Sequence, residues 1–310
     1  MNYADFLEQV AIDLREAVGD SRAINALSGG VDSAVVTVLG HRALGDRLKT
    51  IFVDNGLMRE GEPERVVSTF GEMGIPVERI DARAEFLDAL AGRTDPEEKR
   101  RVVTESFYQG VFGRVVRESG ARSLLHGTIL TDIEETLAGI KRQHNILVQL
   151  GIDPEQEYGY QVLEPLQTLR KDEVRALARH LGMGAELAER IPFPGPGLAT
   201  RIVGEVTPER LATIRAATAI VEEELATSGA FQYLAVLLED KATGIRAGCR
   251  EFGQIIVVRC VDSRDAREAT AVELPWPKLQ QICGRITELP GVNRCLYDLT
   301  PKPPATIEYV

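Results

Sequence analysis

Short apolar runs alternate with stretches of helical periodicity through the first half of the chain, and this alternation constrains the fold more than any other feature. Ala23–Leu27, Thr50–Val53, Val77–Ile80 and Ser123–Leu125 read as buried strands bounded by turns. Ala34–Leu44 and Glu64–Met73 carry apolar residues three and four positions apart, the spacing of one helix face. A strand–helix–strand succession joins parallel strands by right-handed crossovers, so the expectation is an α/β fold with a doubly wound parallel sheet. Asp95–Glu118 reads as one long helix opened by Thr94-Asp95-Pro96-Glu97. Gln161–Glu164 reads as a further strand and Lys171–Leu181 as a helix. Thr131–Gly159 is polar and aperiodic, and long loops of this kind in compact domains often act as lids.

The run from Ile191 to Gly197 holds three prolines and two glycines, which neither a helix nor a central strand tolerates. It divides the 310 residues into 1–190 and 191–310, in keeping with roughly 100–200 residues per domain. Beyond it a helix over Pro208–Thr227 precedes strands at Phe231–Leu238 and Gln254–Cys260. A helix over Pro277–Glu288 then leads to a strand pair, Arg294–Asp298 and Thr306–Val310. This second, smaller part is expected to be an α+β domain.

Charge removes several classes of function. Lys and Arg number 36 against 47 Asp and Glu, a net charge of −11, whereas a chain that grips nucleic acid by its phosphates presents a basic face. A local pocket for one small phosphate stays open. No apolar run approaches the roughly 20 residues needed to span a bilayer, and the acidic, amphipathic N-terminus lacks the basic and apolar regions of a signal peptide. The expectation is a cytoplasmic protein. Cys249, Cys260, Cys283 and Cys295 form no CxxC pair or zinc-site spacing, so they read as free core thiols of a reducing compartment.

The segment that carries chemistry is Ser28-Gly29-Gly30-Val31-Asp32-Ser33, between the first strand and the first crossover helix. An open parallel sheet binds ligands at such strand ends. Glycines let backbone approach a phosphate, Ser28 and Ser33 bring hydroxyls, and a helix N-terminus offers N–H groups and a positive dipole end. Neither a Walker lysine loop nor GxGxxG is present. Asp32 in a phosphate cradle is repulsive unless a divalent cation lies between, which points to Mg²⁺ and a pyrophosphate group. The competing reading is an ordinary capped strand–helix turn.

Here the sequence resembles a family. SGGVDS is similar to the loop of the N-type ATP pyrophosphatases, which split ATP into AMP and pyrophosphate while adenylating an oxygen of the acceptor. Phe52-Val-Asp-Asn-Gly-Leu-Met-Arg59, Thr94-Asp-Pro-Glu97 with Lys99-Arg100, Gly127-Thr128, Lys171-Asp-Glu-Val174, Phe193-Pro-Gly-Pro-Gly-Leu-Ala199 and Lys302-Pro-Pro-Ala-Thr-Ile-Glu308 follow in order. Together they resemble the synthetase part of the GMP synthetases over essentially the whole chain. The resemblance implies an adenine nucleotide alpha-hydrolase-like sheet and a C-terminal dimerisation domain. It implies ATP and Mg²⁺ as cofactors and XMP as acceptor, aminated to GMP through an adenyl-XMP intermediate. It implies that Ser28, Gly29, Gly30, Val31, Asp32 and Ser33, with Gly127, hold the ATP phosphates, that Phe52 and Val53 receive adenosine, and that Asp32 meets the metal. Asp32, Lys171 and Asp132 would be catalytic, and Glu135 is a second acid of the same loop. Arg59, Gln232, Lys302, Ile307 and Glu308 would bind XMP, and Lys141 and His144 would belong to the lid.

About 27 residues precede Ser28, too few for a glutaminase domain, so ammonia is expected from solution or from a separate glutamine amidotransferase subunit. A homodimer is expected, with no nucleic acid and no membrane. The sequence departs from the family in the lid, Ile140-Lys-Arg-Gln-His-Asn-Ile-Leu-Val-Gln-Leu150, where Gln143 replaces a histidine and paired glycines are missing. It departs again at Gly244-Ile-Arg-Ala-Gly-Cys-Arg-Glu-Phe252 and Ser263-Arg-Asp-Ala-Arg-Glu268. Two other readings follow from those departures: a paralogous ATP pyrophosphatase acting on a different nucleotide-like acceptor, and a nucleotide-binding subunit without turnover.

Overall fold

A computed structural model describes residues 2–130, 132–133, 160–188, 193–264 and 266–309. The chain forms two compact units. The first comprises Met1–Asp54, Glu62–Ala82 and Glu105–Arg190; the second comprises Asn55–Gly61, Arg83–Thr104 and Ile191–Val310. The second unit thus has its main segment beyond the proline- and glycine-rich run and also draws in two segments from the first half.

The first unit is built on β1 (Ala23–Leu27), β2 (Leu48–Asp54), β3 (Val77–Asp81), β4 (Ser123–Leu125) and β5 (Gln161–Leu163). All pair in parallel, in the order β3-β2-β1-β4-β5. Side chains of β1 and β2 are buried on both faces, as a sheet covered by crossover helices requires. From β1 the chain runs outward to β2 and β3, then returns to lay β4 on the other side of β1. The strand order therefore reverses between β1 and β4, the place where open α/β sheets bind ligands. Helices α1 (Tyr3–Val18) and α2 (Val31–Leu44) pack together, and α3 (Glu62–Glu72) covers β2 and β3. Beneath the β1–α2 turn, buried Asn25 donates to Thr37 Oγ1 (2.5 Å) and accepts from Thr50 Oγ1 (2.8 Å), which ties β1, α2 and β2 together.

Helix α4 spans Arg83–Leu90. The long helix expected over Asp95–Glu118 is composite: it begins as α5 (Pro96–Glu105), widens to a π-helical segment at Ser106–Phe112 and closes as α6 (Gly113–Ser119). Helix α7 (Lys171–His180) follows β5, and the short α8 spans Ala185–Ala188.

In the second unit α9 (Pro208–Leu225) begins at Thr207, whose hydroxyl accepts from Arg210 N, with Pro208 in the first turn. It packs on β6 (Gln232–Arg246), which forms a long antiparallel hairpin with β7 (Cys249–Asp262). Ala247 and Gly248 both have positive φ, the two-residue turn whose twist suits a hairpin. The short β8 (Thr270–Ala271) pairs antiparallel with the end of β7, α10 spans Trp276–Glu288, and β9 (Val292–Tyr297) pairs parallel with β7. The strand expected over Thr306–Val310 does not form among its described residues. Buried Arg259 of β7 donates to the carbonyls of Thr306 (3.0 Å) and Ile307 (3.2 Å), so a side chain takes the acceptors that a ladder would use. Among the described residues no helix is long and apolar enough to cross a membrane.

Candidate functional site

At the carboxyl end of β1 the chain turns through Ser28, Gly29 and Gly30 into α2. Ser33 Oγ accepts from Ser28 N (3.1 Å), donates to Gly30 O (3.0 Å) and lies 2.9 Å from Ser28 Oγ. These contacts shape the loop from within. No side chain among the described residues caps α2, so its first-turn N–H groups are directed to whatever occupies the loop. The neighbouring turn after β4 comes very close: a Cβ on Gly127 would stand 3.2 Å from Ser33 N and 3.3 Å from the Asp32 carbonyl carbon. Ser28, Asp32, Ser33, His126 and Gly127 line one cavity of about 200 Å³, together with Asn25, Val36, Leu124 and the aromatic side chains Phe107, Tyr108 and Phe112.

Those aromatic residues come from the π-helical segment, whose extra residue per turn brings Phe107, Tyr108 and Phe112 into mutual ring contact. Periodicity does not single them out, because they read as part of one continuous helix. Burial pushes the Tyr108 phenol up to about 12, so it remains a hydrogen-bond donor at neutral pH. Behind His126, its Nδ1 lies 2.8 Å from Thr128 Oγ1, which donates to Glu164 Oε1 (2.6 Å) at the end of β5. Glu164 thereby anchors the Gly127–Thr128 turn, a role the sequence does not reveal.

Asp32 faces Lys171, the first residue of α7, with Lys171 Nζ donating to Asp32 Oδ2 at 2.6 Å. The other carboxylate oxygen, Oδ1, is buried and has no partner among the described residues. One bound and one buried, unpartnered oxygen beside uncapped helix N–H groups suits a hard divalent cation bridging to phosphate. Among the described residues no group of three or more His, Cys, Asp or Glu could hold a metal. A cation at Asp32 would take its remaining ligands from phosphate and water, the usual habit of Mg²⁺.

The other expected residues distribute as follows. Phe52 and Val53 are fully buried in β2, so their side chains serve the core. Asp132 Oδ2 accepts from Ile129 N (3.1 Å), closing its own turn. Glu135, Lys141 and His144 lie outside the described residues. Arg59, Gln232, Lys302, Ile307 and Glu308 all belong to the second unit. Glu308 accepts from Gln232 Nε2 (2.6 Å) and from Arg201 Nε (3.3 Å) and Nη2 (3.1 Å). Arg59 donates to Glu222 (2.5 Å) on α9, and its guanidinium stands 4.0 Å from the centre of the Phe193 ring. Ile307 packs with Val261 and Ala269. Lys302 Nζ donates to the carbonyl of Ala266 (2.8 Å). Residues 59 and 308, at opposite ends of the sequence, thus meet in one cluster through Phe193 and Arg201, while Lys302 sits at the neighbouring β7–β8 turn.

Comparison with known proteins shows the family. The family model described as the GMP synthase C terminal domain matches residues 219–309. A subunit of the glutamine-hydrolyzing GMP synthase of Archaeoglobus fulgidus is 52% identical over 310 residues, covering 100% of both chains. The corresponding subunit from Pyrococcus abyssi is 48% identical over 313 residues, again covering 100% of both. That of Methanopyrus kandleri is 49% identical and covers 98% of each chain. Among solved structures, the NH3-dependent NAD synthetase from Campylobacter jejuni is 16% identical with a TM-score of 0.46, covering 63% of this chain and 80% of that one.

Proposed function

The chain belongs to this family of glutamine-hydrolyzing GMP synthase subunits, and on that premise we propose that it aminates XMP to GMP at the expense of ATP. Hydroxide is a poor leaving group at the purine C2 position. Attack of the XMP oxygen on the α-phosphorus of ATP releases pyrophosphate and leaves adenyl-XMP; ammonia then displaces AMP. The oxygen of XMP departs in AMP, and no protein nucleophile is needed. The protein supplies positioning, charge stabilisation and exclusion of water from the adenylate.

The observation that carries this reading is the Asp32–Lys171 pair at the uncapped start of α2, at the sheet's switch point. Ser28, Gly29, Gly30, Val31 and Ser33, with Gly127 opposite, would cradle the β- and γ-phosphates. Lys171 would steady charge growing on the departing pyrophosphate. Asp32 would hold Mg²⁺, which when bound neutralises phosphate charge. Asp132 would assist beside them, and backbone near Phe52 and Val53 would receive adenosine. Arg59, Gln232, Lys302, Ile307 and Glu308 would bind XMP, with Lys141 and His144 in a lid. In this reading the first unit serves ATP, and the second unit, which includes Arg59, serves the acceptor and a homodimer contact. A separate glutamine amidotransferase subunit supplies ammonia. The four free cysteines fit a reducing cytoplasm, but they are not all core thiols: Cys260 is buried, Cys283 and Cys295 are half-buried, and Cys249 is exposed beside the hairpin turn.

A nucleotide panel with Mg²⁺-ATP and ammonium tests the reading. Pyrophosphate release that requires XMP is the expected result. Release that ignores XMP but follows another nucleotide would overturn it.

A further inference from the structure

The segment Phe193–Arg201 touches both ends of the proposed XMP cluster. Gly197 adopts φ +61°, and a Cβ there would stand 2.3 Å from Leu57 O. The close approach lets Leu198 N donate to the same carbonyl at 2.8 Å, which clamps the segment that bears Arg59. The Phe193 ring lies 4.0 Å from the Arg59 guanidinium and 4.8 Å from that of Arg201. Arg201 is only 1% exposed and presents Nε and Nη2 as a fork to the two oxygens of Glu308.

We propose that Arg201 is a positioning residue for the acceptor nucleotide, holding the Glu308 carboxylate in one rotamer so that it accepts a purine N–H. The proposal rests on the assignment of Glu308 to the XMP pocket. Arg201 is too buried to be reached by substrate, so it acts through Glu308. Nor is it the latch of the tail. Arg259 already grips the carbonyls of Thr300, Thr306 and Ile307 and the carboxylate of Asp298, fixing the backbone immediately before Glu308. What remains for Arg201 is the side chain of Glu308. Its fork matches a carboxylate in a way a lysine cannot, whereas Gln232 offers one neutral donor. With two charged donors and one neutral one engaged, the carboxylate retains a lone pair for a ligand.

The test is steady-state kinetics with ammonium as nitrogen donor, on Arg201→Lys, Glu308→Gln and the double variant Arg201→Met/Glu308→Gln. The lysine variant keeps the buried charge, and the double variant removes both charges together, so folding is protected in each. Arg201→Lys should raise the XMP KM about ten-fold or more, in line with loss of a charge-assisted fork, and leave the ATP KM within about two-fold. The double variant should be no worse for XMP than Glu308→Gln alone, because one residue works through the other. An unchanged XMP KM in Arg201→Lys beside a raised one in Glu308→Gln would overturn the proposal. So would a double variant clearly worse for XMP than Glu308→Gln alone, or equal losses for ATP and XMP. An unchanged XMP KM in Glu308→Gln would instead remove the underlying assignment of the pocket.

Discussion

Asp32 and Lys171 lie 139 residues apart in the chain and 2.6 Å apart in the fold. Asp32→Asn keeps the shape of the side chain and removes the charge that Lys171 and a cation would share. Pyrophosphate formation should fall by roughly 10²- to 10³-fold, the usual cost of losing one electrostatic partner in a transition state, with an unchanged thermal midpoint by calorimetry. Near-normal turnover would reduce Asp32 to a helix-end carboxylate. The loop is legible in the sequence because its residue types announce phosphate chemistry; its pairing with Lys171 is not, because spacing along a chain does not encode such a contact. Buried charges are the least legible residues. Lys99, which the sequence offers only within a motif of the resembled family, is 1% exposed and donates to the carbonyls of Ile202 (2.5 Å) and Gly204 (3.0 Å). Burial, aided by nearby Arg210, pushes its ammonium down from 10.5 to about 8. Between those values the unfolded chain holds more protons than the native one, so stability should rise with pH. Urea unfolding from pH 8 to 10.5 should show that rise in the parent protein and lose it in Lys99→Met.

Elements are legible where one physical rule governs them. Strands β1, β2 and β4 are short apolar runs because a parallel sheet buries both faces there, whereas β3, expected to be buried, is the sheet's edge strand and has no buried residue. The π-helical segment is hidden because apolar spacing cannot distinguish it from continuous α-helix. Thr306–Val310 alternates as a strand would, but the fully buried Arg259 claims its carbonyls, and no local pattern reports a guanidinium 47 residues away. The glycine-rich turn shows the opposite case, in which a motif is visible while its mechanical purpose is not. Gly197→Ala adds left-handed strain of about 1–3 kcal/mol and drives a methyl into Leu57 O. Denaturant titration should show a loss of at least that size, accompanied by a weaker XMP KM because the Arg59 segment loses its clamp.

At the level of the whole molecule, the doubly wound sheet and the second, smaller sheet unit follow from the order of elements along the chain. The assembly does not. In the second unit Trp276 is 70% exposed at the mouth of an apolar cavity of about 480 Å³ lined by Leu279, Ile282, Cys283 and Leu296. Exposed apolar surface of this kind fits the proposed homodimer. Light scattering should give twice the chain mass, and Trp276→Asp should shift it toward the monomer; a monomeric parent protein would rule the dimer out. Transfer of the XMP oxygen to AMP is the step that both the phosphate loop and the acceptor cluster would serve, and an isotope experiment measures it directly. XMP carrying ¹⁸O at C2 is turned over with ATP and ammonium, and the AMP is analysed by mass spectrometry. Adenylation predicts one ¹⁸O in the phosphoryl group of AMP for every GMP formed. GMP appearing alongside unlabelled AMP would contradict it.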